Sequence, residues 1–369
     1  MALIFQSFLI LSFCLNLLTV FPAGSYTHNY IYETVKKEIG STDDPNPKPR
    51  EQILRNMEKV MGKLPSRSSL VPLDIKIIDS VAEDNFTRYN LTFGVAENER
   101  LSAYLYIPRQ SGPKKKRAAM VVLHGTNALG KGVVDGQGDK PNRAQARELA
   151  QRGYVVIAPD YPSFGDMKDH DFETDRYESA TMQGIFNHMR CVDLLQSRAD
   201  VDPARIGVAG LSLGGHNSMF LAAFDERIKV TVSASGWTQF EYYNIGAEGS
   251  KAYGGRLGPW AQTRYMPLIR TKYNLDGDRI PFNFSDVISA IAPRAFFSVS
   301  PTRDANFDYK GVEKGIEIAR KTYHQYNSDD MLQVRYPDAE HDFPIESRKE
   351  AYAFIDKVLG HTPNVVELK

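Results

Sequence analysis

Ile206-Gly-Val-Ala-Gly-Leu-Ser-Leu-Gly-Gly-His216 is the stretch on which the reading of this chain turns. Ile206 to Ala209 is a short apolar run suited to a buried strand, and the apolar segment after Gly215 suits a helix. Gly210-Leu-Ser-Leu-Gly214 must therefore turn a strand into a helix within a few residues. Glycines two positions either side of Ser212 remove the Cβ atoms that would collide in so tight a turn, and the serine hydroxyl is held out above the sheet edge. A bare G-x-S-x-G arises by chance about 0.1 times in a chain of this length at ~7% glycine, so its placement between strand and helix is the informative part. Ser212 reads as a nucleophile; the alternative is a helix start with Ser212 as its N-cap.

Working outward, the same kind of apolar run recurs at Ala118 to Leu123, Tyr154 to Ala158, Val230 to Ser233, Ala295 to Val299 and Leu332 to Tyr336. Helix-length segments separate the runs at Ala144 to Gln151, Tyr177 to Gln196, Gly215 to Ala223, Gly311 to Tyr326 and Ser347 to Leu359. Continuous apolar strands alternating with helices predict a mostly parallel sheet covered by helices on both faces, an α/β fold. Before it, Leu73 to Ile107 alternates as an antiparallel meander would, as in Leu101-Ser-Ala-Tyr-Leu-Tyr-Ile107.

A serine hydroxyl needs a base at neutral pH, and the base needs a carboxylate to fix its tautomer. In this fold both should follow the serine, acid before histidine, each just beyond a strand. Asp304 lies after Ala295 to Val299, and His341 lies after Leu332 to Tyr336. His28, His170, His188, His324 and His361 fall away from strand ends; His216 reads as a packing residue beside the turn, and His124 as a brace for its loop. Asp308, Asp338 and Glu340 are the rival acids, and Asp304 is preferred as the first carboxylate beyond its strand. Backbone N–H groups of Leu213 and Thr126 are the expected oxyanion donors, with Gly125 letting the second loop approach closely.

Gly125-Thr-Asn-Ala-Leu-Gly-Lys131 also imitates the start of a phosphate-binding loop. Gly132 stands where a magnesium-binding Ser or Thr is required, and Val133 to Pro141 cannot begin the helix that would hold the phosphates. The segment 236–286 interrupts the strand-helix rhythm and is rich in aromatics, either walling a pocket or packing on the domain; Trp237 and Trp260 are its candidate substrate-binding residues.

The 369 residues carry 45 Lys plus Arg and 45 Asp plus Glu, so no global field favours nucleic acid, and the run Lys114 to Arg117 reads as a solvated loop. Two cysteines, Cys14 and Cys191, exclude a disulfide scaffold or a zinc site of several thiolates, and no metal-ligand motif is complete. Leu3 to Phe21 is mostly apolar and ends in Pro22-Ala-Gly-Ser25, which reads as a signal peptide over 1–25 and a secreted or periplasmic protein. An uncleaved membrane anchor is the alternative. Once the leader is removed, no stable membrane insertion is expected. Residues 26–70 read as an N-terminal helical arm, with helices around Ile31 to Ile39 and Glu51 to Met61, and 71–369 as one catalytic domain.

With these residues placed, the chain resembles the α/β-hydrolase superfamily over about residues 70 to 360. Leu123-His-Gly-Thr126, Gly153-Tyr-Val-Val-Ile-Ala-Pro-Asp160, Gly210-Leu-Ser-Leu-Gly-Gly215, Asp304-Ala-Asn-Phe307 and His341-Asp-Phe-Pro344 are similar to the dienelactone-hydrolase-like group. That group includes acetyl xylan esterases and the catalytic domains of prolyl-oligopeptidase-type enzymes. The resemblance implies Ser212, Asp304 and His341 as a triad with no cofactor, and a small-molecule or polysaccharide ester as substrate. Serine in place of the cysteine of dienelactone hydrolase argues against that lactone, and the residues before the domain are too few for the propeller of the peptidases. An exported ester hydrolase is the expectation, a peptidase or a non-catalytic binding protein on the same scaffold are the alternatives, and the oligomeric state stays open.

Overall fold

A computed structural model describes residues 47–68, 70–109, 116–173 and 176–368. The leader and the helix expected around Ile31 to Ile39 lie outside these residues. Nine strands form one sheet: β1 Lys76–Ala82, β2 Phe86–Ala96, β3 Glu99–Pro108, β4 Arg117–Leu123, β5 Val155–Pro159, β6 Val201–Leu211, β7 Ile228–Ala234, β8 Ala295–Val299 and β9 Leu332–Arg335. Their order is β1-β2-β3-β5-β4-β6-β7-β8-β9. The meander β1 to β3 is antiparallel, as is the β3–β5 pair, and β5 through β9 run parallel. The parallel strands β4 to β8 coincide with the apolar runs of the sequence because both of their faces are buried there, while β9 at the edge is half-buried beyond Leu332.

The helices are α1 Arg50–Met61, α2 Gln145–Gln151, α3 Ala180–Ser197, α4 Leu213–Phe224, α5 Gly246–Ala252, α6 Leu268–Thr271, α7 Phe284–Ile291, α8 Tyr309–Gln325 and α9 Ile345–Leu359. Strand alternation sorts them onto two faces. In β4, Ala119, Val121 and Leu123 join a core with residues of α1, α3, α4, α7 and α8. Ala118, Met120 and Val122 join a second core with residues of α2 and α9. This two-sided sheet is an α/β-hydrolase fold.

Helix α1 belongs to the first of those cores. Ile53, Met57, Val60 and Met61 recur at helical spacing and are fully buried, which gives the 12-residue element one apolar face despite its polar composition. Around it, 236–286 folds as short helical turns whose Trp237, Phe240, Phe282 and Phe284 are buried in the same core. The site lies at the carboxyl ends of the parallel strands, where β4, β6, β8 and β9 each deliver one loop.

Candidate active site

Ser212 sits between β6 and α4 with φ 57° and ψ −123°, a left-handed conformation rarely adopted by a non-glycine residue. The neighbouring glycines explain how the strain is tolerated. A Cβ on Gly210 would collide with the backbone of Gly214, and one on Gly214 would land on the Leu123 carbonyl. The Ser212 N–H donates to the Ala234 carbonyl at 2.9 Å, and its carbonyl accepts from Gly215 at 2.8 Å. Its side chain makes no cap to the helix, which removes the N-cap reading.

The hydroxyl instead lies 2.9 Å from Nε2 of His341, whose Nδ1 is 2.7 Å from Oδ2 of Asp304. The other carboxylate oxygen of Asp304 accepts from the backbone N–H groups of Asn306 at 2.9 Å and Phe307 at 3.1 Å. These two bonds anchor a side chain that is 1% exposed and so fix the oxygen it presents to the imidazole. The Phe307 ring lies over the imidazole with centroids 5.7 Å apart, backed by Tyr243 and Trp260. The structure thus brings together the three side chains singled out by the sequence, in the order hydroxyl, imidazole, carboxylate. Among the rival acids, Asp308 caps α8 through Lys310 N, and Asp338 pairs with Arg303.

Gly125 brings the loop after β4 over the nucleophile: a Cβ there would be 3.5 Å from that of Ser212. The loop is braced from below by His124, whose Nδ1 lies 2.8 Å from the Gly125 carbonyl, and by the Tyr161 hydroxyl, which donates to the His124 carbonyl at 3.0 Å. Burial lowers His124 to about 4, partly offset by its bond to Gly125. Burial likewise holds His216, tilted against Trp260 with centroids 4.9 Å apart, at about 3. Leu213 is the first residue of the 12-residue helix α4, so its N–H belongs to the electropositive helix start.

A cavity of about 240 Å³ opens beside Ser212 and His341. Val133, Val134 and Leu211 give its lining apolar surface, and Thr126, Asn127, Asp139, Lys140, Arg143 and Gln145 supply polar groups. Neither tryptophan lines it. Trp237 is 1% exposed and donates from Nε1 to Ser298 Oγ at 2.9 Å, so it is a core residue. Trp260 is buried one layer behind Phe307. From that segment it is Tyr265 that reaches the site, its hydroxyl 3.4 Å from Thr126 Oγ1. Lys131 of the apparent phosphate loop is 3% exposed and tied to Asp160 and Asp166, each at 2.6 Å, which explains a lysine in that place without a nucleotide.

These features define a class: a hydrolase of the α/β-hydrolase fold. Comparison with known proteins adds narrower likenesses. A family profile described as fungal glucuronyl esterase matches residues 172–327, a span holding Ser212 and Asp304 but not Thr126 or His341. YtaP of Bacillus subtilis strain 168, described as a hydrolase, is 26% identical over 322 residues, covering 84% of this chain and 100% of YtaP. A glucuronoyl esterase from Solibacter usitatus superposes with a TM-score of 0.64 at 18% identity, covering 85% of this chain and 92% of its own. Acetyl xylan esterase 1 from a Thermoanaerobacterium species superposes with a TM-score of 0.53 at 16% identity, covering 85% of this chain and 95% of its own.

Proposed function

We propose that the chain is an exported serine carboxylic-ester hydrolase that acts on carbohydrate esters through an acyl-enzyme. Ser212 attacks the ester carbonyl while His341 Nε2 accepts its proton. Asp304 keeps the Nδ1 proton directed at itself and stabilises the imidazolium. The N–H groups of Leu213 and Thr126 receive the developing oxyanion, the former aided by the start of α4. His341 then returns the proton to the departing alcohol, and water repeats the sequence to release the acid.

The observation that carries this reading is the unbroken hydrogen-bond chain Ser212–His341–Asp304 beside an open cavity. The carbohydrate part is supported by the cavity itself. At about 240 Å³ it is smaller than the ~300–1,000 Å³ of ordinary ligand pockets, which suits a compact substrate group beside Ser212. A lining that mixes apolar Val133, Val134 and Leu211 with polar side chains offers both kinds of contact that a sugar ring makes, through its C–H face and its hydroxyls. The likeness to glucuronoyl and acetyl xylan esterases points the same way. Export rests on the leader read in residues 1–25; among the described residues no helix is long and apolar enough to cross a membrane.

The test is fluorophosphonate labelling of wild type and Ser212→Ala, with turnover of aryl acetates, acetylated xylo-oligosaccharides and methyl esters of glucuronic acid. Labelling at Ser212 with turnover of either sugar ester is the expected result. A folded protein that takes no label and turns over none of these esters overturns the hydrolase reading. Turnover of aryl acetates alone overturns its carbohydrate part.

A further inference from the structure

The imidazole of His341 has Asp304 on one nitrogen and Ser212 on the other, yet both contacts act on the ring and neither fixes the backbone from which it swings. That backbone is gripped from a distant part of the chain. Asn142 Nδ2 donates to both carboxylate oxygens of Asp342, at 2.7 and 2.8 Å. Arg143 Nη2 lies 3.2 Å from Asp342 Oδ1 and donates to the His341 carbonyl at 3.3 Å. Ser235, at the end of β7, donates from Oγ to the Asp342 carbonyl at 2.9 Å. Three donors from two segments thus converge on the two residues 341 and 342.

Asn142 and Arg143 stand on the turn Pro141–Arg143, directly after the part of the cavity wall formed by Gly138, Asp139 and Lys140. The turn is itself secured, since Arg143 N donates to the Lys140 carbonyl at 3.1 Å and Gln145 Nε2 donates to the Asn142 carbonyl at 3.1 Å. Arg143 is 9% exposed, so its guanidinium has given up most of its hydration, and Asp342 is the carboxylate beside it. Burying that charge is favourable only with a partner, and Asp342, itself 34% exposed, supplies one.

We propose that Asn142 and Arg143, acting through Asp342, are positioning residues for His341: they set the depth and tilt of the imidazole over Ser212 and couple it to the wall of the substrate cavity. This rests on the hydrolase reading above. Proton transfer is sensitive to such placement, because an error of about 1 Å can cost about 10²-fold in rate. A second strut serves the same end from the opposite side, where Thr302 N and Arg303 N donate to the Pro337 and Ala339 carbonyls, each at 3.0 Å. Those bonds fix the start of the loop, and the Asp342 clamp fixes its reacting end.

The experiment compares aryl acetate kinetics and thermal stability of wild type, Asn142→Ala, Asp342→Asn and the reciprocal double variant Asn142→Asp with Asp342→Asn. Ser212→Ala serves as the control for the hydrolase reading. If wild type turns over ester and Ser212→Ala does not, that reading stands and the remaining variants test the clamp alone. The expected result for Asn142→Ala is a kcat lower by about 10-fold to 100-fold with KM within about twofold of wild type. The reciprocal pair, in which the amide at 342 can donate to the carboxylate at 142 and that carboxylate, on the residue next to Arg143, replaces Asp342 as the guanidinium's partner, recovers kcat to within about threefold of wild type. Three results overturn the proposal: a kcat for Asn142→Ala within twofold of wild type, a rise in KM with kcat retained, or a loss of kcat that the reciprocal pair fails to restore.

Discussion

His188→Phe should make this protein more resistant to acid. His188 lies in α3, 1% exposed, with neither ring nitrogen hydrogen-bonded among the described residues. It packs edge-on against Tyr161 at 5.3 Å between centroids, a contact that a phenyl ring can keep. Burial lowers its pKa to about 3, with His124 nearby adding to the shift. The unfolded chain titrates near the ordinary value of about 6.5. Between those values the unfolded state binds a proton that the folded state refuses, so the stability tied to a neutral His188 is complete above pH 6.5 and is lost as the pH falls. Near pH 5 the loss is RT ln(1 + 10^1.5), about 2 kcal/mol, and near pH 7.5 it is below about 0.1 kcal/mol. The figure near pH 5 barely depends on the folded value, provided that value lies well below 5. Denaturant unfolding of wild type and His188→Phe at both pH values measures it. The stability difference between the two proteins should shift by about 2 kcal/mol in favour of the variant on moving from pH 7.5 to 5. Parallel pH dependences, within about 0.5 kcal/mol, would refute the claim that a neutral buried imidazole is present in the folded state.

Asp304→Asn keeps the acceptor for the Asn306 and Phe307 N–H groups but sets an amide against His341 Nδ1, favouring the wrong tautomer. The expected outcome is a kcat lower by about 10⁴-fold with the melting temperature little changed, read from steady-state kinetics and thermal unfolding. Two glycine substitutions should have opposite effects on stability. Gly214→Ala drives a Cβ into the Leu123 carbonyl, a backbone atom that cannot step aside, and should cost at least about 3 kcal/mol. Gly184→Ala, inside α3 with its nearest neighbour 3.7 Å away at His188 Cε1, should stabilise by about 0.5–1 kcal/mol. Melting curves of the two variants check both signs.

The difference between what could and could not be read from the residues is one of range. Strands β4 to β8 are buried on both faces over their apolar runs, whereas β9, Leu-Gln-Val-Arg at the sheet edge, is buried only at Leu332, and the fold follows from the alternation of these strands with helices. Ser212, Asp304 and His341 were legible for a related reason: each stands just beyond such a run, and the chemistry demands three residue types in a fixed order. The tryptophans lie away from the cavity beside Ser212, for an aromatic side chain signals burial without saying which surface it is buried against. Trp237 met the core and Trp260 the back of Phe307, while the less conspicuous Tyr265 reached Thr126. The glycine-rich loop imitated a phosphate site because two needs coincide in composition. Gly130, at φ 53°, leaves room for the carboxylate of Asp160, which then pairs with Lys131. That partner is 29 residues away in the chain, and Asn142 is 200 residues from Asp342. Polar contacts of this reach leave no periodicity, since each side chain obeys the geometry of a neighbour that only the finished fold supplies. Asp342 directly follows the histidine that the strand pattern identified, yet only the carboxyl ends of β4, β7 and β9 brought together reveal what holds it.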